Sequence, residues 1–346
     1  MELNTSQLLE DFKNALKPFY NLFDFNFSIL KVILVCNAKT MNGKEKVNTF
    51  NVSPSFWLGL KRTFQSNYSC AKEKDCFTCS SRSGCAYFNL FLSNASIKKA
   101  RLPKLRIFSL YKKTSSTGDK LIIHSKWNVV NPTKDELFQL ITSFMSFKSC
   151  SAKNIELLIS DTESVPLINQ FSPTLDIFSN APFLSKPSAI LSPKKEQILA
   201  ELQKGNKKIN ETGKTLIPLS LKTVTPAIIS QDEFRYLFKN PFRFITSQLV
   251  SKAKTYGPAN SSKFHIITDN LSVLYNQKVQ IENFSTKLER LSEGNDLLKI
   301  SFGFNTVLSV PQLLYAFSLV KAQNFFGLGK YTSLGYGLLQ LRLLKE

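Results

Sequence analysis

The pattern of apolar and polar positions divides the chain into two ordered blocks. In the first, Leu8, Leu9, Phe12, Leu16, Phe19 and Tyr20 fall near helical spacing and predict an amphipathic helix over residues 5–22, weakened in its last turn by Pro18. Phe23, Phe25, Phe27 and Ile29 then alternate with Asp24, Asn26 and Ser28, the period of two that predicts a strand, which continues apolar to Cys36. Ile107–Tyr111 and Leu121–Val129 predict a hairpin across the polar turn at residues 114–119. Thr133-Lys-Asp-Glu136 has the form of a capping box. It opens a predicted helix with Leu137, Leu140, Ile141 and Phe144 on one face, and a strand at residues 155–160 follows.

Residues 161–213 change character, being rich in Ser, Pro, Asn and Lys with one short predicted helix at 193–203, and read as a connector or an inserted subdomain. The second block opens with a strand through Leu219 and Leu221 that ends at Thr225-Pro226. Helix follows over residues 231–254, broken at Pro241, and strands are predicted at 264–267 and 275–284. Leu298, Ile300, Phe302 and Phe304 alternate with polar residues or glycine as a further strand. An apolar helix covers 311–322 with Ser309 as its cap, and Leu339, Leu341 and Leu343 form a closing strand. The fold class expected is α+β, two tandem ferredoxin-like domains. Residues 1–165 form the first, with a cysteine-rich insertion at 66–90; 166–213 is the connector; 214–346 is the second.

Charge narrows the partner. Lys and Arg number 45 against 25 Asp and Glu, a formal charge of +20 on 346 residues. Acids are absent between Cys76 and Gly118, where Arg101, Lys104 and Arg106 lie, and again from Tyr236 to Thr268, where Arg243 lies. Two acid-free basic stretches inside folded-looking sequence favour a polyanion surface, nucleic acid above all, over a merely lysine-rich solvated exterior. No apolar run approaches the roughly 20 residues that span a bilayer, so a membrane partner is not expected. The first residues show no signal-peptide pattern, and a cytoplasmic protein is expected.

In that compartment the six cysteines are expected as thiols or metal ligands rather than disulfides. Cys70, Cys76, Cys79 and Cys85 fall within 16 positions and offer the four thiolates of a structural Zn²⁺ shell, the alternative being reduced thiols in an ordered loop. Cys36 and Cys150 stand apart and read as core residues. His124 and His265 are the two histidines, and neither belongs to a Ser–His–Asp, HExxH or paired-carboxylate constellation. Cleavage of RNA does not require one. The 2′-OH is the substrate's own nucleophile, and Lys, Arg or Tyr can move protons and stabilise phosphate charge.

Gly327-Leu-Gly-Lys-Tyr-Thr-Ser-Leu-Gly-Tyr-Gly337 concentrates four glycines and a lysine between a predicted helix and a predicted strand. It is not a P-loop, because Asn324 and Tyr331 stand where glycine and Ser/Thr are needed; nor is it a dinucleotide fingerprint, because Thr332 replaces the last glycine. Spacing leaves two readings equal: a turn that only closes a sheet, and a turn whose N–H groups cradle phosphate.

With these residues in view, the chain resembles the CRISPR repeat-processing endoribonucleases of the RAMP superfamily. The glycine-rich loop is the most specific feature. The segment from Phe284-Ser-Thr-Lys287 through Leu298-Lys-Ile-Ser-Phe-Gly303 into the Pro311 helix is similar to the one that precedes that loop in the family. Trp57-Leu-Gly-Leu-Lys61, the four cysteines and Cys85-Ala-Tyr87 resemble an N-terminal insertion of one branch. The resemblance implies two ferredoxin-like domains and binding of CRISPR repeat RNA in precursor crRNA, with Gly327, Gly329, Lys330, Gly335 and Gly337 at phosphates. It further implies cleavage by 2′-OH attack, without a metal cofactor, to 2′,3′-cyclic phosphate and 5′-OH ends. Other CRISPR effector or adaptation proteins are the implied partners. Many members carry a histidine in the first domain's early helix, whereas no histidine precedes His124 here; others work with Lys, Arg or Tyr. His265, Lys287 and Tyr331 are accordingly the candidate catalytic residues, with Tyr331 also placed to stack a base. A non-catalytic RNA-holding RAMP subunit, and a protein-docking platform built on the cysteine module and residues 193–214, are the alternative readings.

Overall fold

A computed structural model describes residues 26–37, 54–67, 84–91, 104–114, 120–147, 150–159, 164–167, 216–256, 261–290, 296–330 and 336–344, with Gln7, Glu10, Asn14, Cys76, Cys79, Ser80 and Thr332. The sequence-predicted N-terminal helix lies outside these residues except at Gln7, Glu10 and Asn14, which are helical, and the helix at 193–203 lies wholly outside them. The described residues divide into two compact units, 26–167 in one and 216–332 with 336–344 in the other, to which Gln7, Glu10 and Asn14 also belong.

The first unit runs β1 (Phe27–Asn37), α1 (Pro54–Asn67), α2 (Ala86–Phe91), β2 (Leu105–Thr114), β3 (Lys120–Val130), α3 (Lys134–Met145), β4 (Cys150–Leu158) and β5 (Ser164–Pro166). The sheet order is β2-β3-β1-β4-β5, every pairing antiparallel. Without the β5 extension this is the ferredoxin-like order, with the first strand central and helical crossovers after β1 and β3. Alternation sorts the faces. Leu30, Val32 and Leu34 of β1 and Ile123, Trp127 and Val129 of β3 are buried with Leu137, Leu140 and Phe144 of α3. Trp127 meets Phe144 edge-on at 5.1 Å. Its indole N–H donates to Ser125 Oγ at 2.6 Å, and that hydroxyl donates to the Val32 carbonyl at 3.0 Å, so the buried polar atoms are satisfied. The expected capping box at Thr133 is present, with Glu136 N–H donating to Thr133 Oγ1 and Thr133 N–H to Glu136 Oε2.

The second unit runs β6 (Leu216–Thr223), β7 (Ala227–Ser230), α4 (Gln231–Lys239), α5 (Pro241–Tyr256), α6 (Ser261–Leu271), a 3₁₀ turn (Ser272–Leu274), β8 (Val279–Arg290), β9 (Asp296–Ser309), α7 (Val310–Phe326) and β10 (Leu339–Leu343). β6 and β7 pair successive stretches of one edge of β9, which makes them a single strand interrupted at Thr225-Pro226. β8 pairs nearly the whole length of β9 and so takes its other edge, while β10 lies beside β6. The order β10-(β6/β7)-β9-β8 repeats the ferredoxin-like arrangement, and the fold is α+β with two antiparallel sheets as expected. α7 buries residues around its circumference, among them Leu313, Leu314, Leu319 and Phe326.

Two expectations are corrected. Residues 264–267 are helical, inside α6, where Ile267 and Leu271 stand one turn apart and both are buried; a short apolar run carries no period of its own, and packing decided it. Cys36 and Cys150 are a disulfide, not separate core thiols. They face each other across the β1–β4 ladder, a register invisible from two cysteines 114 residues apart. Among the described residues no helix is long and apolar enough to cross a membrane.

Candidate nucleic-acid interface

The glycine-rich loop follows α7. Gly327, Gly329 and Gly337 have φ of 74°, 79° and 77°, the left-handed region that side chains avoid. Each is also closely approached. A Cβ at Gly327 would meet Thr332 Cβ and the Tyr336 carbonyl at 2.7 Å; at Gly329 it would collide with the Ile228 carbonyl, and at Gly337 with the Leu328 backbone. The N–H groups of Gly327, Leu328, Lys330 and Gly337 donate to the carbonyls of Gln323, Gly337, Ile228 and Pro226 at 2.7–2.9 Å. Leu338 N–H donates to Thr225 Oγ1 at 2.9 Å. These donors serve closure of the loop on the β6/β7 interruption, so a phosphate cradle of backbone N–H groups is not formed by them. Gly335 and Tyr331 lie outside the described residues.

Lys252 of α5 completes the latch, donating to the carbonyls of Gly327 at 2.5 Å and Gly329 at 2.7 Å. Gln323 Nε2 also donates to the Gly327 carbonyl, at 2.6 Å. Sequence reading passed over Lys252 as one more cation of a basic stretch. Its position three residues after buried Leu249 and one before buried Ala253 is the signal that sets it at the edge of the inner face.

The loop delivers Lys330, which is exposed, to a bridge with Ile228. Ile228 is opposite Lys299 on β9, and Lys299 is opposite Lys287 on β8. Directly opposed residues share a face, so Lys287, Lys299 and Lys330 line one row across the sheet, on the face turned away from buried Ile300 and Phe302. Lys299 Nζ lies over the Tyr336 ring, 5.6 Å from its centroid. The row unites two sequence candidates, Lys287 and Lys330, with a lysine that had been read only as the polar half of a strand.

On the opposite face of the sheet, Phe234 and Phe238 of α4 meet Phe284 of β8 with centroids 5.5 and 4.9 Å away. Arg235, Lys239 and Arg243 are exposed nearby on α4 and at the start of α5. His265 is exposed on α6, and no described contact joins it to the lysine row.

In the first unit, Lys104 Nζ donates to both Glu136 oxygens at 3.0 and 2.9 Å and to the Asn131 carbonyl at 3.0 Å. That ammonium, expected at RNA from the sequence, ties β2's entry to α3. Arg106 lies within β2, and Arg101 lies outside the described residues. Cys76, Cys79 and Cys85 are half-buried and not joined in a disulfide, and Cys70 lies outside the described residues. Cys76 and Cys85 pack against the apolar core. Among the described residues no group of three or more His, Cys, Asp or Glu is placed to hold a metal ion, so the expected zinc shell finds no support. Lys61 reaches over the Tyr87 ring at 5.6 Å; burial lowers its pKa, partly offset by Cys76.

No protein-family model matches the sequence, and no curated protein matches it. Among solved structures the chain is similar to Thermus thermophilus Cas6, with 12% identity over 92% of this chain and 99% of that chain at a TM-score of 0.40. It is similar to a Cas6 product complex, with 12% identity over 91% of this chain and 99% of that chain at 0.39. It is also similar to a partial Cas6-RT-Cas1–Cas2 complex, with 11% identity over 92% of this chain and 46% of that chain at 0.46.

Proposed function

We propose that this protein binds CRISPR repeat RNA and cuts precursor crRNA within the repeat, with no metal in the chemistry. The observation that carries the reading is the lysine row Lys287–Lys299–Lys330, beside the loop on which the family resemblance rests. Like charges placed opposite on neighbouring strands repel. A phosphate backbone lying along the row would relieve that repulsion and release counterions. Tyr336, beneath Lys299, offers a ring beside the same track.

The chemistry asked of the protein is small. The 2′-oxygen attacks the adjacent phosphorus and the P–O5′ bond breaks. A base takes the 2′-OH proton and an acid supplies one to the departing 5′-oxygen, leaving 2′,3′-cyclic phosphate and 5′-OH with no water consumed. Lysines at the phosphate stabilise its developing charge. Lys287, within the row, and Tyr331, next to Lys330 in sequence, are the candidates, and His265 is a third from α6. Association with other CRISPR proteins belongs to the same proposal.

The test is incubation of the purified protein, in EDTA, with end-labelled repeat RNA and with the same RNA carrying a 2′-deoxy sugar at the mapped cut. One discrete cut that ends in cyclic phosphate and vanishes with the deoxy sugar is expected. Tight binding without a cut would instead assign the chain to the RNA-holding subunits. Undiminished single-turnover rates in His265→Ala, Lys287→Ala and Tyr331→Phe alike would remove the catalytic assignment.

A further inference from the structure

The aromatic cluster of α4 and β8 is not used by the lysine row, and its construction is specific. Phe234 and Phe238 are four apart on α4, one above the other, with ring centroids at 4.9 Å. β8 would ordinarily alternate faces, but a bulge between Ile281 and Asn283 resets its register. Ile281 then opposes Phe304 and Phe284 opposes Phe302, which brings both to the helix-covered face, three positions apart. Neither is covered there: Ile281 is 50% and Phe284 42% exposed. A shallow apolar depression beside them is lined by Leu237, Phe238, Pro241, Val279 and Ile281.

The charges around the cluster select the occupant. Arg235, Lys239 and Arg243 are exposed. Two of the nearest acids have partners within the fold, Glu233 accepting from Ser230 N–H and Gln248, and Glu282 from Ser220, while Asp232 is exposed. A partly open cluster of rings on elements where exposed cations outnumber exposed acids, with Arg235 and Lys239 each next in sequence to one of its phenylalanines, matches a ligand with flat apolar faces on an anionic backbone. Bases of unpaired nucleic acid have that chemistry.

We propose that Phe284, backed by Phe234 and Phe238, is a stacking site for unpaired nucleotides, separate from the lysine row. The inference rests on the RNA reading but does not need cleavage. Stacking is tolerant of sequence and sugar, because every base has a π-face, so the site takes single-stranded RNA or DNA and refuses a closed duplex.

The experiment measures affinity for oligouridine, oligothymidine and a blunt RNA duplex with the full chain, Phe284→Ala and Phe284→Trp. Phe284 is exposed enough that truncation leaves a folded protein, and the tryptophan variant retains a ring. Phe284→Ala is expected to weaken both single strands roughly 5- to 100-fold, the range that base–aromatic stacking commands. Duplex affinity and the salt slope stay unchanged, since no phosphate contact is removed. Phe284→Trp is expected to restore binding, with its fluorescence quenched as a base stacks. Single-strand affinity unchanged in Phe284→Ala overturns the proposal. So does a variant that alters only self-association on size exclusion, which would make the cluster a protein surface. Repeat cleavage with Phe284-independent binding removes this site alone; Phe284-dependent binding without any cleavage removes the processing reading alone.

Discussion

Lys287 stands directly opposite Lys299 across the β8–β9 ladder. Like charges in such directly opposed positions generally repel by a few tenths to about 1 kcal/mol. Removing one member should therefore separate folding from binding. Lys287→Ala is expected to leave stability to urea unchanged or to raise it by up to about 0.5 kcal/mol. The same variant should lose RNA affinity and flatten its dependence on salt by about one counterion. A variant that loses stability and affinity together would make the pair a structural feature.

Gly329 has φ of 79° and packs against the Ile228 carbonyl. Gly329→Ala adds both backbone strain and a collision, and a loss of about 1–3 kcal/mol of stability is expected. RNA affinity should fall with it, because Lys330 is the next residue and holds its place through the bridge to Ile228. Thermal unfolding with and without RNA separates the two effects: RNA should raise the midpoint of the parent more than that of the variant.

Lys252 is the residue that ties the loop to α5, through the carbonyls of Gly327 and Gly329. Lys252→Met keeps the side-chain length and removes the donor, so the Gly329 carbonyl loses this hydrogen bond while the Gly327 carbonyl keeps the one from Gln323 Nε2. A loss of about 1–3 kcal/mol is expected, with Lys252→Arg recovering part of it. If Lys252→Met is as stable as the parent but fails to bind RNA, the ammonium contacts the ligand and does not serve as a latch.

Much of this fold is legible in the sequence, and what is not follows from long-range geometry. β1, the β2–β3 hairpin, the Thr133 capping box, β9 and β10 follow from alternation and local hydrogen-bond chemistry. α6 does not, because Phe264, Ile266 and Ile267 form a run too short to show a period. The disulfide does not, because Cys36 and Cys150 meet only through the β1–β4 register. At the candidate site, Lys330 could be found from its glycines and Lys287 from the resemblance. Lys299 could not, since its meaning comes from the strands on both sides of it. Nor could the partnership of Phe234 with Phe284, which depends on a bulge that leaves no mark in the local sequence.

The Cys36–Cys150 disulfide links residues 114 apart in sequence and staples β1 to β4. By chain-entropy reasoning a loop of that size is worth about 4–5 kcal/mol. Reduction should lower the unfolding midpoint of the first unit while leaving the second, which holds the lysine row, unchanged. Denaturant unfolding with and without reductant is the check, and Cys36→Ala with Cys150→Ala should reproduce the reduced curve. Equal curves would mean that the thiols are not joined in solution.

Tyr275 gives the second unit a dependence on alkaline pH. Its phenol is half-buried, and burial raises its pKa above the ordinary value, against an opposing pull from Arg243. In the unfolded chain the same group ionises near pH 10. Below that pH both states hold the proton and stability does not depend on it. As pH rises past it, the unfolded chain ionises first, so the stabilising difference is lost through the interval up to the folded pKa. Tyr275→Phe removes this contribution. Its stability should lie within about 1.5 kcal/mol of the parent at pH 8, and it should fall less steeply than the parent above pH 10. Absorbance of tyrosinate at alkaline pH provides the direct check, because the variant should lack one late-titrating phenol. Parallel stability curves across that interval would show that Tyr275 titrates alike in both states.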